Sequence, residues 1–268
     1  MKIFYTVLAY LLTIIFNYLL GSISFSKIIS SHYGVDITKV GSKNAGGTNV
    51  GRSVSKRAGI LTIALDLLKC FLALLFTFVI FRYVKIDIFY YDQFIEVICS
   101  ISAFSVAIGH IYPVFSHFKG GKAVACFAGY CLFISPVLFL IGLLTFFITF
   151  KRFKKISLSS IIGSFSCLLF SFVPLITHLT CFKDYSLYNF GLFFSPSFMI
   201  HLTYVTTITV FLFILTILIR HSSNIKRLLA GKEPVTVFKK DVKKDADENE
   251  SKIITIAINE LNKEIIDK

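Results

Sequence analysis

The chain has 268 residues, of which 55% are hydrophobic and only 16% are charged, and 30 of them are phenylalanine. This composition excludes an ordinary water-soluble domain and predicts a protein that crosses a membrane several times. The net charge of +13 fits the enrichment of Lys and Arg in cytoplasmic loops, and since the aromatic residues lie in apolar stretches instead of among the basic ones, we expect no nucleic-acid partner.

Five apolar stretches are long enough to cross a hydrocarbon layer of about 30 Å as helices. They are Ile3–Phe25, Gly59–Phe81, Phe94–Phe115, Ile156–Thr177 and Phe198–Ile219. The first has no small-residue cleavage site and is longer than the apolar part of a signal peptide, so we expect it to be retained as a span.

A further apolar stretch, Ala123 to Phe150, is too long for one upright pass and too short for two full ones. Ser135-Pro136 lies in its middle, where the proline ring removes a backbone donor and clashes with the preceding turn, so we expect a break. The predicted fold is therefore an all-α, polytopic membrane helix bundle of about seven transmembrane segments, with one short or broken pair around Pro136.

Basic residues predict the orientation of this bundle. The loop at 26–58 is much richer in Lys and Arg than the loop at 82–93, so the first lies in the cytoplasm and the N-terminus lies outside. A chain that turns back at Pro136 also brings the basic cluster 151–155 to the cytoplasm. The chain is thus predicted to be a multi-pass protein of the cell membrane, with all of its longer polar runs on the cytoplasmic face.

The first such run, Gly41–Arg52, is dense in glycines, each of which loses backbone entropy when it is ordered. Such a loop can form a nest of N–H groups around an anion, and Arg52 can grip a phosphate through two hydrogen bonds. A flexible polar linker is the alternative. The other candidate binding residues are Ser42, Asn44, Gly46, Gly47, Thr48 and Asn49.

The second run, Gly109–Ala125, ends in Lys119-Gly120-Gly121-Lys122 directly before an apolar segment. If Lys122 lies in the first turn of a helix, its ammonium and the unpaired N–H groups of that turn face the same ligand. Ser116 and Ala123 break the nucleotide-binding pattern GxxxxGK[ST], so nucleotide hydrolysis is disfavoured. By itself, this turn is equally compatible with a basic membrane anchor.

The third run, His221–Pro234, begins where the last span ends. A helix that continued through it would place His221 and Asn224 on one face. Arg220, Lys226 and Arg227 alone could be interfacial anchors. Because three donor-rich runs emerge on one membrane face, however, we expect them to converge on a single phosphate-handling site.

The remaining features predict no further chemistry. The six cysteines lie in or beside apolar segments without metal-binding spacing, so we expect small buried side chains and no metal site. Residues 236–268 form a charged cytoplasmic tail, and the spacing of isoleucines within Ile253–Ile266 suits a short amphipathic helix.

The three runs resemble the signature motifs of the bacterial integral-membrane acyl-phosphate:glycerol-3-phosphate acyltransferases. GSKNAGGTNVGR is similar to the family's GSGNPGATN…R, FKGGKAVA to FKGGKGVA, and HSSNIKRLLAGKE to H-x-x-NI-x-RL-x-x-G-x-E. The resemblance covers about residues 1–235, which makes this part a membrane acyltransferase domain. The chain departs from the family pattern at Ser24, Lys43, Ala45, Gly47 and Ala123.

The resemblance implies transfer of a fatty acyl group from acyl phosphate to the 1-hydroxyl of glycerol 3-phosphate, which gives lysophosphatidic acid and phosphate in the first step of phospholipid synthesis. It implies no cofactor, and membrane lipids as the surroundings. The implied catalytic residues are Ser42, Lys122, His221 and Asn224. The implied substrate- and phosphate-binding residues are Asn44, Gly46, Gly47, Thr48, Asn49, Arg52, Gly120 and Gly121.

Other classes of protein fit parts of the pattern. A membrane transporter of a phosphorylated small solute is the alternative function, but it should line a midplane path with polar or ionisable groups in broken helices, and the spans lack these. A CoA-dependent acyltransferase would show an Asp five residues after a His, and His32 comes nearest with Asp36 four residues on. A structural membrane protein would leave the three runs unexplained.

Overall fold

The computed structural model of the chain describes residues 2–83, 92–179 and 204–239, and the regular structure in these ranges is helical. The helices are α1 (Lys2–Gly21), α2 (Phe25–His32), α3 (Gly47–Ser53), α4 (Lys56–Tyr83), α5 (Asp92–Ile111), α6 (Val124–Ile134), α7 (Pro136–Phe153), α8 (Ile156–Leu179), α9 (Tyr204–Arg220) and α10 (Ser222–Leu229), with a 3-10 turn at Val114–Ser116. The predicted tail helix and Cys181 lie outside the described residues.

Among the described residues, four helical segments are long and apolar enough to cross a membrane, and a bent pair makes a fifth. The four are Val7–His32, Lys56–Phe81, Ile95–Ser116 and Pro136–Phe153, and the pair is Tyr204–Arg220 with Ser222–Leu229. The all-α membrane bundle is therefore confirmed. The count of seven spans is not confirmed, because α6 and the apolar part of α8 at Ile156–Phe172 are shorter than a full crossing of about 20 residues.

The predicted break at Pro136 is confirmed. Ser135 separates α6 from α7, and its hydroxyl oxygen accepts the N–H of Leu138 at 3.3 Å, with Pro136 in the first turn, where a missing N–H costs nothing. The carbonyl oxygen of Lys154, just beyond α7, accepts the N–H of Thr236 at 2.7 Å. The basic turn at 151–155 and the third polar run therefore lie at the same end of the bundle.

The interior of the bundle lies where α4, α5, α6 and α9 meet. Leu74, Val106, Tyr130 and Phe213 are fully buried there, and the rings of Tyr130 and Phe213 stack with centroids 5.5 Å apart. The outward faces are also apolar, since the side chain of Ile148 on α7 is 70% exposed. An exposed apolar surface of this kind is typical of helices in contact with lipid.

Glycines allow the helices to approach closely, as is typical of helix pairs in membranes. On α1, a Cβ atom at Gly21 would lie 2.2 Å from the carbonyl oxygen of Val106. On α3, a Cβ atom at Gly47 would lie 2.8 Å from the carbonyl oxygen of Gly59. The second contact fixes α3, which carries part of the first polar run, against α4.

A buried ionic cluster joins α4 to its neighbours. Lys69 pairs with Asp66, which lies three residues earlier on α4, and its ammonium is 2.8 Å from the carboxylate. The same ammonium donates to the carbonyl oxygens of Gly21 at 3.1 Å and Ile23 at 2.9 Å and lies 3.1 Å from Nδ1 of His110. The cluster therefore ties α4 both to α5 and to the end of α1.

Two further polar contacts inside the bundle also join helices. Glu96 on α5 accepts the N–H of Thr206 at 3.0 Å and its hydroxyl at 2.6 Å. Asn17 on α1 donates to the hydroxyls of Thr77 at 3.2 Å and Ser102 at 3.1 Å. The spans therefore contain buried polar groups, which were not expected from the sequence, and these groups hydrogen-bond one helix to another.

Candidate active site

The three polar runs meet at one end of the bundle around a cavity of about 1320 Å³. The predicted residues that line it are Ser42, Asn44, Gly46, Gly47, Thr48, Asn49, Arg52, Gly120, Lys122, His221 and Asn224. Gly121 belongs instead to the supporting backbone, since its N–H donates to the carbonyl oxygen of His110 at 3.0 Å and its own carbonyl accepts from Arg220 at 3.2 Å. The structure therefore brings the three runs together.

Asn49 holds the first run in shape. Its side chain is 1% exposed, and its amide nitrogen donates to the carbonyl oxygens of Ile37 and Val40, both at 3.0 Å. Its amide oxygen accepts the N–H of Ser42, also at 3.0 Å. Since these contacts occupy both ends of the amide, Asn49 positions the loop. Gly47 packs against α4 and also lines the cavity.

Arg52 lies near the end of α3 and keeps donors for a ligand. Its Nη2 atom donates to the hydroxyl of Thr236 at 2.6 Å. Its Nε atom is buried and has no hydrogen-bond partner among the residues that the structure describes. A buried donor without an acceptor costs free energy, so this guanidinium is suited to receive an anion.

Lys122 lies before α6 and not in its first turn, so the condition under which it would share a ligand with the N–H groups of that turn is not met. Ala123 has a left-handed φ of 61°, so α6 begins only at Val124. Gly120 presses this loop against the end of α5, where a Cβ atom would lie 2.1 Å from the carbonyl oxygen of His110. From this loop, the Lys122 ammonium donates a hydrogen bond to the side-chain oxygen of Asn224 in the third run.

The third run is bent and does not continue the last span as one straight helix, which was the condition for His221 and Asn224 to share a helix face. Helix α9 ends at Arg220, α10 begins at Ser222, and their axes differ by 68°. His221 lies at the bend, with its Nδ1 atom 2.8 Å from the carbonyl oxygen of Ile217. Because a carbonyl oxygen can only accept, the proton is assigned to Nδ1, which leaves Nε2 as an acceptor. Both His221 and Asn224 still line the cavity.

Glu233 and Ser157 belong to the site, although sequence reasoning missed them. The amide nitrogen of Asn224 donates to the hydroxyl of Ser157 at 2.7 Å and to Glu233 at 2.9 Å. Glu233 also accepts from Ser157 at 2.7 Å and from Arg227 at 2.7 Å. The last letter of the third motif was a signal for Glu233, whereas Ser157 lies outside the three runs and gave none.

The electrostatics of the site follow from burial and from an excess of cations. Burial lowers the pKa of Lys122 to about 8; Arg227, Arg220 and Arg52 lower it too, and Glu233 opposes them. Burial, with Lys122 nearby, lowers the pKa of His221 to about 4. His221 is therefore a neutral acceptor at physiological pH.

Burial raises the pKa of Glu233, but hydrogen bonds from Ser157, Asn224 and Arg227 outweigh this and hold the pKa below its ordinary value. The carboxylate stays charged and partly offsets the cations around it. An end of the cavity that carries this many positive groups suits phosphate anions.

The other end of the cavity is apolar and extends between α6, α7 and α8. Its lining includes Phe127, Cys131, Phe139, Gly142, Phe146 and Cys167. This apolar part of the cavity, here called the apolar limb, was not predicted from any of the three polar runs. A cavity with cations at one end and hydrocarbon at the other suits an amphiphile with an anionic headgroup and an acyl chain. In the described residues, no group of three or more His, Cys, Asp or Glu side chains could hold a metal ion.

Comparison with known proteins agrees with this arrangement. The family model "Glycerol-3-phosphate acyltransferase" matches residues 11–231. The chain is 36% identical over 233 residues to the glycerol-3-phosphate acyltransferase of Macrococcus caseolyticus, which covers 85% of this chain and 98% of the relative. It is 34% identical over 236 residues to the enzyme of that name from Mycoplasma mobile, covering 87% of this chain and 95% of the relative.

Two solved structures are also similar. They are crystal structures of PlsY, an integral membrane glycerol 3-phosphate acyltransferase, in a glycerol 3-phosphate form and a lysophosphatidic acid form. Both are 31% identical to this chain and cover 84% of it and 94% of PlsY, with TM-scores of 0.65 and 0.64. The chain therefore belongs to the glycerol-3-phosphate acyltransferase family.

Proposed function

We propose that this protein transfers a fatty acyl group from acyl phosphate to the 1-hydroxyl of glycerol 3-phosphate, giving lysophosphatidic acid and phosphate. The observation that carries the proposal is the two-ended cavity, with Arg52, Lys122 and Arg220 at one end and the limb between α6 and α8 at the other. Both substrates carry phosphate, and one of them also carries a hydrocarbon chain. The names of the relatives agree with glycerol 3-phosphate as the acceptor.

Arg52 and Lys122 bind and neutralise the two phosphates in this proposal. The support is the buried Nε of Arg52, which has no hydrogen-bond partner in the described part of the chain, and the placement of the Lys122 ammonium beside the third run. Ser42, Asn44, Gly46, Thr48 and Gly120 line the same end and supply uncharged contacts. An acyl phosphate is already an activated anhydride, so alignment and charge neutralisation supply most of what the reaction needs.

His221 orients the attacking hydroxyl, and a phosphate oxygen takes its proton. Burial and the nearby Lys122 lower the pKa of His221 to about 4, so its neutral ring is a weak base. We therefore assign the proton of the hydroxyl to a substrate phosphate oxygen. Nε2 of His221 is left as an acceptor, so it can hold the neighbouring 2-hydroxyl of glycerol 3-phosphate and thereby orient the 1-hydroxyl, whose single hydrogen then points to the phosphate oxygen.

The chemical step balances without a covalent enzyme intermediate. The glycerol oxygen attacks the acyl carbonyl carbon, and a new ester bond forms. The bond between that carbon and the phosphate oxygen breaks, and phosphate leaves with the electron pair. In this scheme Asn224 is a positioning residue, because its amide holds Lys122 on one side and Ser157 with Glu233 on the other.

The proposal places the site on the cytoplasmic face of the cell membrane. Its support is the distribution of Lys and Arg, together with the position of the basic turn 151–155 at the same end of the bundle as the cavity. Acyl phosphate can then reach the apolar limb through the membrane, and glycerol 3-phosphate can arrive from water.

The test is an acyl-transfer assay with the purified full-length protein and labelled glycerol 3-phosphate. Palmitoyl phosphate, palmitoyl-CoA and palmitoyl acyl carrier protein are offered separately, with Lys226→Ala as a control because Lys226 is an exposed lysine of the same run. We expect lysophosphatidic acid and an equal amount of phosphate from palmitoyl phosphate alone. Uptake of glycerol 3-phosphate into proteoliposomes without any acylation would support the transporter instead.

A further inference from the structure

The segment 235–239, here called the strap, crosses the end of the bundle that holds the cavity. The N–H of Thr236 donates to the carbonyl oxygen of Lys154 at 2.7 Å, which ties the strap to the turn between α7 and α8. The N–H of Lys239 donates to the carbonyl oxygen of Gly51 at 3.0 Å, and the carbonyl of Lys239 accepts the N–H of Lys56 at 3.0 Å. The strap therefore joins α7 and α8 to α3 and α4.

The side chains of the strap alternate between the protein and its surroundings, as expected of an extended segment. Thr236 is 7% exposed, whereas Val235 is 58% and Val237 is 73% exposed. Phe238 packs on α3, where a Cβ atom at Gly51 would lie 2.8 Å from its ring. The inward face of the strap thus lies against the helix that carries Arg52.

Thr236 contacts Arg52 directly. Its hydroxyl oxygen accepts from Nη2 of Arg52 at 2.6 Å and from the N–H of Ile156 at 3.4 Å. One edge of the guanidinium is held by this contact, and the buried Nε has no hydrogen-bond partner among the described residues. A long, flexible side chain held in one orientation loses less entropy when it binds an anion.

We propose that Thr236 is a positioning residue that orients the Arg52 guanidinium towards a substrate phosphate. This inference rests on the proposed phosphate-binding role of Arg52. It gives a role in the reaction to a segment beyond residue 231, where the match to the family model ends. It also places the end of the acyltransferase domain after the strap instead of at residue 235.

The experiment compares Thr236→Val, which keeps the shape of the side chain but removes the hydroxyl, with Thr236→Ser, which restores it. The matched control is Thr216→Val, because among the residues that the structure describes the hydroxyl of Thr216 donates within α9, to the carbonyl oxygen of Leu212 at 2.9 Å. For each full-length variant, kcat and KM are measured with palmitoyl phosphate and glycerol 3-phosphate, together with the melting temperature in detergent.

We expect Thr236→Val to raise KM for at least one phosphorylated substrate by about tenfold, the scale of one hydrogen bond to a charged group. The value of kcat should change by less than about twofold. Thr236→Ser should recover most of the loss, and Thr216→Val should behave as the wild type. In an Arg52→Lys background, Thr236→Val should have little further effect, because the orientation that it disturbs is already lost.

The inference is overturned if active wild-type protein and Thr236→Val share the same KM values. It is also overturned if Thr236→Val lowers kcat and melting temperature together at unchanged KM, since that would make the hydroxyl purely structural. A wild-type protein that acylates no glycerol 3-phosphate from palmitoyl phosphate is a different result, which would overturn the proposed function itself.

Discussion

The ammonium of Lys122 donates a hydrogen bond to the side-chain oxygen of Asn224, a residue 102 positions further along the chain. Through the other end of the same amide, the contact continues to Ser157 and Glu233. The loop before α6, the short helix α10 and the start of α8 are therefore joined by one chain of hydrogen bonds. Groups linked in this way are expected to fail together.

The first prediction concerns the pH dependence of kcat/KM, which the titration of Lys122 should set at alkaline pH. The pKa of Lys122 is lowered from 10.5 to about 8, so the ammonium is present below about pH 8 and is lost as the pH rises through that value. Since kcat/KM reports the free enzyme, we expect kcat/KM for a phosphorylated substrate to fall above about pH 8. Lys122→Arg should remove this alkaline decline, because arginine stays protonated. An unchanged decline in Lys122→Arg would assign it to another group.

The second prediction uses Glu233 to move that same titration. Its negative charge raises the pKa of Lys122, against burial and the neighbouring arginines. Glu233→Gln keeps the size of the side chain but removes the charge, so the alkaline decline of kcat/KM should shift to lower pH. The control is the pH profile of Glu96→Gln, because the Glu96 carboxylate lies near the start of α5, outside the cavity lining, and accepts a hydrogen bond from Thr206. A shift to higher pH in Glu233→Gln would contradict the electrostatic account.

The third prediction is that Arg52→Lys is far from conservative. An ammonium cannot both hold the Thr236 hydroxyl and present a flat pair of donors to a phosphate. We expect KM for a phosphorylated substrate to rise by about tenfold or more, from the loss of a charge-assisted hydrogen bond, at an unchanged melting temperature. The matched control is Arg57→Lys, which lies at the start of α4 and outside the cavity lining. Equal kinetics for the two variants would make Arg52 a surface anchor.

The fourth prediction concerns the side of the membrane. Single cysteines at the exposed positions Lys43, Lys119, Lys151 and Lys226 should react with a membrane-impermeant thiol reagent only from the cytoplasm, because the loops that carry them are basic. The native thiols of the described residues are buried, and Cys181→Ser serves as the background. Labelling of Lys151→Cys from outside would contradict the turn of the chain at Pro136.

Features that depend on neighbouring residues were predictable from the sequence. The break between α6 and α7 follows from Pro136, and the pairing of Asp66 with Lys69 follows from three-residue spacing on a helix. The meeting of the three runs was also predictable, because charge bias places them on one membrane face. In each case the physical cause can be read within a few positions or from one global rule.

Features that depend on distant partners were not predictable. Nothing near His221 marks a bend, since neither proline nor glycine is adjacent to it; helix α10 leaves the axis of α9 where Asn224 bonds Ser157 of α8. Asn49 looked like a ligand donor, but the backbone carbonyls of Ile37 and Val40 use its amide. Contacts with residues far away in the chain accompany both the bend at His221 and the use of the Asn49 amide, and such contacts cannot be read from the neighbouring sequence.

The most direct test of the single-site account is a comparison of acyl-transfer rates among Ser42→Ala, Lys122→Ala, Asn224→Ala and their double variants, one residue from each run. Each single change should cost about 2–4 kcal/mol of transition-state stabilisation if each residue supplies, or holds in place, a donor of the oxyanion-hole type. Adding Lys226→Ala to Lys122→Ala should change nothing. If the runs form one site, each double variant should lose little more than its worse single variant. Losses that simply add would mean that the three runs act separately and would contradict the account.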